Sequence, residues 1–366
     1  MSEFASRLEG LGPVEELAFP PTPGFGKYRR FLEHAMPHPA KMNVELLEFL
    51  VLKYSREGDL VLDPMAGTGS TCVIAALNGR DAVCVEIEPR FYEWMEKARQ
   101  NVEKISTLGR KGRIVNILGD ARRLSELLKQ VDAIVTSPPY AETISHKSGG
   151  PVRVEKVGVS TITARTYSTS NDNIGNLPLG NVDCCITSPP YESALEGTSK
   201  HTRGGIASRD PKLARSGTYS TVLSVKPGVP AMYSPNPDNI GNLKNSDKDY
   251  ELLEREEDIN TLYSRLLKDG KPTYLSEMLK VYREMFKVLK PGGHSVVVVK
   301  PFIRKKQVVD LPYYTWLLMR RVGFRLKALH KLRLKQESFW RKLYYRKFPN
   351  VPRIAHEYVI VCEKPG

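Results

Sequence analysis

The sequence predicts an α/β protein built on a doubly wound, mainly parallel sheet. Short apolar runs alternate with segments of helical periodicity over residues 43–135, and the same alternation resumes over residues 274–362. Strands that alternate with helices are typical of a parallel sheet whose two faces are covered by helices. We therefore place one large domain on these two stretches.

The first stretch is preceded by Pro20-Pro21-Thr22-Pro23-Gly24, which we expect not to form a regular element, so residues 1–42 are assigned to an N-terminal extension. Helices are predicted over 43–54, through 73–77 up to Gly79, over 90–105 and over 124–128. Strands are predicted over 60–62, 82–85, 114–118 and 131–135. The last strand runs directly into a Pro-Pro turn.

The second stretch begins with a predicted helix over 274–289, closed by Lys290-Pro291-Gly292-Gly293. A fully apolar strand over 295–300 follows, then a helix over 311–321 and strands over 325–335 and 357–362. The sheet would then hold seven strands and finish with an antiparallel hairpin. We assign residues 43–140 and 273–366 to this one domain.

Residues 141–248 lack the alternating pattern and are rich in Ser, Thr, Gly, Asn and Arg. Tyr167 opens an eleven-residue segment that returns in similar form at Tyr233, with Asn173-Ile174-Gly175-Asn176 matching Asn239-Ile240-Gly241-Asn242. Such an echo indicates tandem duplication of a strand-plus-loop unit. So long a stretch without regular structure favours a function of its own. We predict that residues 141–272 form an insert after the fourth strand, a lid or substrate-recognition region.

The charge balance favours a polyanionic partner, since the net charge is +14 and the pI is near 9.4. The alternative is a basic surface that serves solubility. No apolar run approaches the roughly 18 residues of a membrane span, and the start lacks the profile of a signal peptide. These features predict a cytoplasmic protein.

Five scattered cysteines argue against a disulfide framework and for a reducing compartment. Their spacing matches no zinc site, so no metal is predicted. Glutamine occurs at only four positions while Lys, Arg and Glu abound, which favours a thermophilic source.

A cofactor site is indicated by polar residues at the ends of the first three predicted strands. The turn Gly67-Thr68-Gly69 lets the backbone pass close to a ligand. It lacks the third glycine of the dinucleotide fingerprint, because Cys72 stands there, so a smaller nucleoside ligand is favoured. Glu86 could take the ribose hydroxyls and Asp120 an adenine amino group. The alternatives are a turn required for packing and a glutamate at the surface.

A second signal is the motif Ser137-Pro138-Pro139-Tyr140, which returns as Ser188-Pro189-Pro190-Tyr191. An exocyclic base amine is a poor nucleophile because its lone pair is delocalised into the ring. A serine hydroxyl and a proline carbonyl can grip its N–H bonds and free the lone pair, since the Pro-Pro pair has a fixed φ. The tyrosine can stack on a flipped base, a contact worth roughly 1–3 kcal/mol. The alternative is a turn with a packed tyrosine.

These motifs resemble the amino-methyltransferases that use S-adenosylmethionine (SAM) to modify cytosine N4 or adenine N6. Asp63-Pro64-Met65-Ala66-Gly67-Thr68-Gly69-Ser70 is similar to their methionine-binding loop, and His38-Pro39-Ala40-Lys41-Met42 to the segment that holds the methionine end. The resemblance covers roughly 38–140 and 273–363. It implies a Rossmann-like seven-stranded SAM methyltransferase sheet and SAM as the cofactor. The cofactor residues are then His38, Lys41, Asp63, Pro64, Ala66, Gly67, Thr68, Gly69, Ser70, Thr71, Glu86, Asp120 and Ala121.

Of the two Ser-Pro-Pro-Tyr loops, we predict that residues 137–140 are catalytic, because Ser137 follows the fourth strand of the alternating pattern directly. Residues 188–191 are the second candidate and would form or cover the target pocket. Serine before Pro-Pro is typical of the cytosine-N4 enzymes of the family. Carbon-5 methylation is disfavoured because no proline precedes a cysteine.

The C-terminal third carries most of the cations, some of them interleaved with aromatic residues, a mixture that suits phosphates and unstacked bases. The predicted nucleic-acid-binding residues are Arg304, Lys305, Lys331, Arg333, Lys335, Trp340, Arg341, Lys342, Arg346 and Lys347. The alternative is a solvated basic face.

This basic segment, and a likeness within the family to archaeal enzymes that dimethylate cytosine N4 in ribosomal RNA, favour RNA narrowly over DNA. Three other functions stay open: a DNA methyltransferase of a restriction or orphan system, a nicotinamide dehydrogenase, and a non-catalytic nucleic-acid binder that retains the SAM fold.

Overall fold

The computed structural model describes residues 2–20, 24–36, 42–107, 109–130, 182–189, 238–267, 270–334 and 339–366. The strands are β1 (Val14–Leu17), β2 (Leu60–Asp63), β3 (Asp81–Glu86), β4 (Ile114–Leu118), β5 (Val182–Thr187), β6 (Leu289–Val299), β7 (Phe302–Arg304), β8 (Gln307–Val309), β9 (Arg325–Arg333) and β10 (His356–Glu363). The helices are α1 (Arg29–Leu32), α2 (Val44–Tyr54), α3 (Ser70–Leu77), α4 (Pro89–Glu103), α5 (Leu124–Gln130), α6 (Asp247–Arg255), α7 (Ile259–Leu266), α8 (Tyr274–Val288), α9 (Leu311–Val322) and α10 (Phe339–Lys347).

Eight strands form one sheet in the order β1-β9-β10-β6-β5-β2-β3-β4. β10 is antiparallel to both of its neighbours, and the other pairings are parallel. The chain runs outward from β2 through β3 to β4, and β5 then lies on the other side of β2. The strand order therefore reverses between β2 and β5, where open α/β sheets bind their ligands. The predicted Rossmann-like fold and its closing antiparallel strands are confirmed.

The predicted insert of residues 141–272 is wrong in part, because it contains a central strand of the sheet. β5 pairs with β2 through Val61–Cys184 and Leu62–Cys185, and with β6 on its other side. Its apolar side chains are fully buried, as expected for a strand covered on both faces. The predicted fourth strand, residues 131–135, lies outside the described residues.

Helices α6 and α7 also belong to the main fold, although no helix was predicted there and their residues were assigned to the insert. Leu253 and Leu262 are completely buried in the same core as the helix α8. Their amphipathic patterns were hidden in the sequence by the long irregular stretch before them. Most of the rest of the predicted insert, residues 141–181 and 190–237, lies outside the described residues, so its recognition role stays a prediction.

Eight strands of the sheet lie within the described residues, whereas seven were predicted for the whole sheet. β5 and β1 were not among those seven, and β1 comes from the predicted N-terminal extension. β1 pairs in parallel with β9, from Val14–Leu329 to Leu17–Leu332. Leu17 is buried in the core, while Glu15 accepts from Lys53 Nζ at 2.8 Å and lies 2.8 Å from His330 Nδ1. Burial of Leu17 and the pairing with β9 outweigh the low strand propensity of two adjacent glutamates.

A disulfide joins Cys72 and Cys84, contrary to the expectation from the cysteine count. Cys72 lies in α3 and Cys84 in β3, and packing of the helix on the strand brings their Cα atoms to 6.2 Å. An odd number of scattered cysteines does not exclude one such local pair. Cys184, Cys185 and Cys362 are free and buried. Within the described ranges, no helix is long and apolar enough to cross a membrane.

We expect the oxidised protein to be more stable than the reduced protein by about 3 kcal/mol, because closing a loop of about a dozen residues restricts the unfolded chain. Denaturant unfolding with and without a thiol reductant measures the difference. A Cys72→Ala/Cys84→Ala variant is the control and should not respond to the reductant. Titration of five free thiols in the unreduced protein would contradict the disulfide.

Candidate functional site at the carboxyl edge of the sheet

The glycine turn after β2 has the backbone that the sequence predicted. Gly67 and Gly69 have φ values of 53° and 74°, in the left-handed region that favours glycine. A Cβ atom on Gly69 would approach Met95 Cγ to 3.0 Å. Gly69 also precedes the first residue of α3, so the turn presents the start of a helix toward the edge of the sheet.

Asp63 anchors this turn from inside the protein. Its Oδ2 accepts from the Thr71 hydroxyl at 2.6 Å, and its Oδ1 accepts from the Met65 amide at 3.2 Å. The side chain is buried, which raises the pKa of the carboxyl to about 6, and the hydrogen bonds offset only part of that effect. Thr68 donates to Ser70 Oγ at 3.2 Å, so the hydroxyl groups of the turn are held as well.

Glu86, at the end of β3, holds the turn from the other side. Its Oε2 accepts from the Gly67 amide at 2.7 Å, and its Oε1 accepts from the Glu88 amide at 2.9 Å. Desolvation raises the pKa of this carboxyl to about 7. The Ala66 amide bonds to the Val85 carbonyl at 3.0 Å, so two contacts fasten the turn to β3. Glu86 therefore shapes the cofactor loop directly.

Asp120, at the end of β4, is engaged with a residue that the sequence analysis did not select. Its carboxylate accepts from the Arg122 amide at 2.9 Å and from the Arg122 guanidinium. The same guanidinium donates to Glu277 of α8 at 2.5 Å, and Glu277 is almost fully buried. Asp120 thus fixes an arginine at the cofactor edge. The local sequence Asp-Ala-Arg, with an acidic residue two positions before a cation, was the available signal.

The second copy of the echoed segment lies against the same edge. Asn239 Nδ2 donates to Glu88 Oε1 at 3.1 Å, and the Asp238 carbonyl accepts from Arg122 Nη2 at 3.2 Å. Ile240 is buried in the core that also contains Ile117. Residues 238–243 therefore bridge the ends of β3 and β4. In the sequence, residues 238–243 were evident only as part of a repeat within the predicted insert.

Ser188 and Pro189 follow β5 at the switch point. Thr187 is completely buried and lies close enough to Asp63 to lower the pKa of that carboxyl. Ser188 is partly exposed, and Pro189 is buried. The start of the second Ser-Pro-Pro-Tyr loop is therefore adjacent to the anchor of the glycine turn.

Several predicted site residues lie outside the described residues, so their roles stay predictions. They are His38, Lys41, Ser137, Pro138, Pro139, Tyr140, Pro190, Tyr191 and Lys335. The side chains of Trp340 and Arg341 are likewise not described. Within the described ranges, no group of three or more His, Cys, Asp or Glu residues is arranged to hold a metal ion.

Three of the predicted nucleic-acid-binding cations are engaged within the protein. Arg304 pairs with Asp247, and Lys331 lies 3.0 Å from Glu9. Arg333 lies 2.6 Å from Glu3. Lys305, Lys342, Arg346 and Lys347 are exposed. Arg304 and Lys331 thus brace the fold, and Arg333 pairs at the surface. The other four face solvent, and of these Lys305 lies 3.6 Å from Asp247.

The glycine turn follows the strand β2, and acidic residues stand at the ends of the next two strands, β3 and β4. This is the arrangement that the resemblance implies for a SAM-dependent methyltransferase, and the chain has that fold. Residues 22–97 match the model of a family described as DNA methylase. The predicted resemblance to the SAM-dependent amino-methyltransferases is confirmed, and SAM is the cofactor of that class. The matched residues include Asp63, the glycine turn and Glu86.

Curated relatives match over parts of their length. The orphan methyltransferase M.BamHII of Bacillus amyloliquefaciens is 37% identical over 67 residues, which are 18% of this chain and 25% of that protein. The tRNA (guanine(10)-N2)-dimethyltransferase of Methanocaldococcus jannaschii is 32% identical over 126 residues, 33% of either chain. The chain thus spans a quarter to a third of the length of these relatives.

Among solved structures, a SAM-dependent methyltransferase from Methanosarcina mazei aligns with 86% of this chain and 97% of its own, at 10% identity and a TM-score of 0.36. So low a TM-score permits no comparison of the two sites.

Asp63 gives the site a testable pH dependence. Its pKa is raised on folding, so its contribution to stability is present below the pKa of an ordinary aspartate, 3.8, and is lost as the pH rises through about 6. Asparagine can still accept from the Met65 amide, and its Nδ2 can donate to the Thr71 hydroxyl, without carrying a charge. We expect the free energy of unfolding of Asp63→Asn, relative to wild type, to grow by about 2 kcal/mol between pH 4 and pH 7. Urea unfolding at several pH values measures it. A difference independent of pH would show an ordinary pKa.

Proposed function

We propose that this protein transfers a methyl group from SAM to the exocyclic amino group of a base in nucleic acid, with cytosine N4 favoured. The observation that carries the proposal is the position of Ser188 and Pro189. They follow the central strand β5, beside β2 and the glycine turn. A target base held there lies at the switch point of the sheet, where the cofactor also binds.

The cofactor residues fit a nucleoside with a short charged chain. The turn from Asp63 to Gly69 would hold the methionine part, with Thr68, Ser70 and the start of α3 as polar partners. Residues at the ends of β3 and β4 would hold the adenosine part. When bound, SAM supplies an electrophilic methyl group on a positively charged sulfur. The buried carboxyl of Asp63 lies beneath the turn and favours a cationic ligand.

The second Ser-Pro-Pro-Tyr loop prepares the amine for attack. The Ser188 hydroxyl and the Pro189 carbonyl would accept the two N–H bonds of the amino group and localise its lone pair on nitrogen. Because Pro190 has no backbone N–H, the loop offers the amine an acceptor, the Pro189 carbonyl, without a competing donor beside it. Tyr191 would stack on the base. After transfer, the methylated nitrogen is acidic enough to lose its proton to water or a nearby acceptor.

This proposal reverses our preference between the two loops. The sequence favoured Ser137, because residues 131–135 continue the alternating pattern directly. β5 instead places Ser188 at the central crevice of the described sheet. We therefore propose Ser188 as the catalytic serine and a supporting role for the loop that begins at Ser137.

Ser188→Ala should lower kcat at least tenfold, because one of the two acceptors for the amine is lost. SAM binding should be unchanged, since the serine faces the target base. Ser137→Ala is the matched control and should keep most of the activity. Transfer of labelled methyl and calorimetric titration with SAM measure the two effects. Loss of turnover in Ser137→Ala alone would return the catalytic role to the first loop.

We further propose that residues 238–243 form a wall of the adenosine subsite. Asn239 and Arg122 tie this segment to the ends of β3 and β4, so it closes the side of the edge that faces away from β5. Ile240 adds an apolar side chain there and is itself anchored in the core. The second copy of the repeated Asn-Ile-Gly-Asn motif, residues 239–242, would thus help to form the cofactor site.

Asn239→Ala should weaken SAM binding several-fold, because the bond to Glu88 is lost and the wall loosens. A single hydrogen bond to a charged group contributes roughly 1.5–3 kcal/mol. Asn173→Ala, at the matching position of the first copy, is the control and should bind SAM like wild type. Calorimetry gives both affinities. Equal loss in the two variants, or loss in Asn173→Ala alone, would contradict the assignment.

The proposed substrate follows from two features of the sequence. Serine before Pro-Pro supports cytosine, and the basic C-terminal third supports RNA. The alternative, a DNA cytosine-N4 or adenine-N6 methyltransferase, is supported by the DNA methylase description of the matching family and by M.BamHII. Ribosomal RNA as target, a thermophilic archaeal source and a cytoplasmic location stay predictions.

Nucleoside mass spectrometry of RNA and DNA from cells with and without the gene separates these substrates. Loss of N4-methylated or N4,N4-dimethylated cytidine from ribosomal RNA is the expected result. Loss of a methylated deoxynucleoside only would establish the DNA alternative. Absence of methyl transfer from labelled SAM to any nucleic acid would favour a non-catalytic binder, and binding of NAD in place of SAM would favour a dehydrogenase.

A further inference from the structure

We propose that the tip of the β7–β8 hairpin and the exposed face of α10 form one clamp for the sugar–phosphate backbone of the nucleic acid. The clamp consists of Lys305, Lys306, Lys342, Arg346 and Lys347, with Phe348 at its centre. The proposal rests on the proposed function, because it names the surface by which the same substrate is held.

The first observation is the backbone of the hairpin turn. Lys305 and Lys306 have φ values of 49° and 64°, and among the described residues they alone are non-glycine residues with positive φ. A two-residue hairpin loop of this kind favours Asn-Gly, because lysine in the left-handed region is strained by its Cβ. The chain thus gives up some stability to place two ammonium groups side by side at an exposed tip. Strain of this kind points to a function.

The second observation is that the tip and the helix meet. Lys306 Nζ lies 4.7 Å from the centre of the Phe348 ring, which directly follows α10, and Lys347 Nζ lies 5.7 Å from the same ring. Tyr344 packs on Phe348 with ring centroids 4.9 Å apart. Both rings remain partly exposed. The hairpin and the helix, separated by more than thirty residues in sequence, therefore form one continuous basic and aromatic surface.

The third observation is that most of these cations have no carboxylate partner among the described residues. In the part of the chain that the structure describes, no carboxylate lies within ion-pair distance of Lys306, Lys342, Arg346 or Lys347. Lys305 lies 3.6 Å from Asp247, and both side chains are largely exposed, so water screens this pair. The clamp is therefore a set of cations without a buried internal role.

The clamp lies at the same edge as the proposed catalytic loop. β6 is parallel to β5, and β9 is parallel to β6 because both are antiparallel to β10. The hairpin follows the carboxyl end of β6, α10 follows that of β9, and Ser188 follows that of β5. A strand bound by the clamp can therefore continue to the target site. Cations with exposed rings suit an unpaired region, whose phosphates and bases are both accessible.

The test replaces the two strained lysines by the residues that the turn prefers, Lys305→Asn/Lys306→Gly. We expect a higher thermal midpoint, because the turn is relieved, together with several-fold weaker binding of a single-stranded oligonucleotide. The slope of log affinity against log salt should fall by about 1.4 for two lost phosphate contacts at about 0.7 each. Higher stability with weaker binding is a combination that a purely structural role of the lysines would not produce.

Lys97→Gln/Lys104→Gln, on α4 and at its C-cap, removes the same charge from exposed positions at the other end of the sheet and is the control. Equal weakening in the control, or an unchanged affinity and salt slope in the hairpin variant, would overturn the clamp. Equal binding to vesicles of anionic lipid, weakened in the same way, would indicate a membrane surface and also overturn it. SAM affinity should be wild-type in both variants. Because binding is read without turnover, failure of the clamp is distinguishable from failure of the proposed reaction.

Discussion

The site depends on the strand that lies between β2 and β6. A parallel sheet whose order reverses has one crevice at its carboxyl edge, and the strand beside the first one determines which loop enters that crevice. β5 occupies this position with a run of buried side chains, and Thr187 at its end lies against Asp63. The glycine turn and the start of the second Ser-Pro-Pro-Tyr loop are adjacent for this reason. One position in the sheet thus joins the predicted cofactor-binding part to the proposed substrate-binding part.

Buried carboxyl groups hold the rest of the edge. Asp63 and Glu86 grip the glycine turn from its two sides, and burial raises the pKa of each. Asp120 and Glu277 together hold Arg122, which in turn holds residues 238–243. Groups of this kind cost stability when they ionise without a partner. A bound cation would stabilise the ionised carboxylates and so offset part of this loss of stability.

Local pattern predicted much of the fold. The bounds of α2, β4, α8 and α9 agree with the structure to within a residue, because their periodicity and caps are strong. The glycine turn and Glu86 were found from their spacing after apolar strands. β1 was missed because two adjacent glutamates conceal a strand whose partner, β9, lies more than three hundred residues away. The disulfide was missed because it depends on the packing of α3 on β3.

The sequence by itself determined the class of fold, the cofactor loop and the existence of two similar Ser-Pro-Pro-Tyr loops. These follow from periodicity and motif, which are properties of neighbouring residues. Only the tertiary structure showed that the second of those loops begins beside Asp63, because two nearly identical segments have the same local preferences. It also divided the basic residues into Arg304, Lys331 and Arg333, which pair internally, and a solvent-facing set. The physical reason is that ion pairs and strand neighbours join residues distant in sequence, and a one-dimensional pattern carries no information on which distant residues meet.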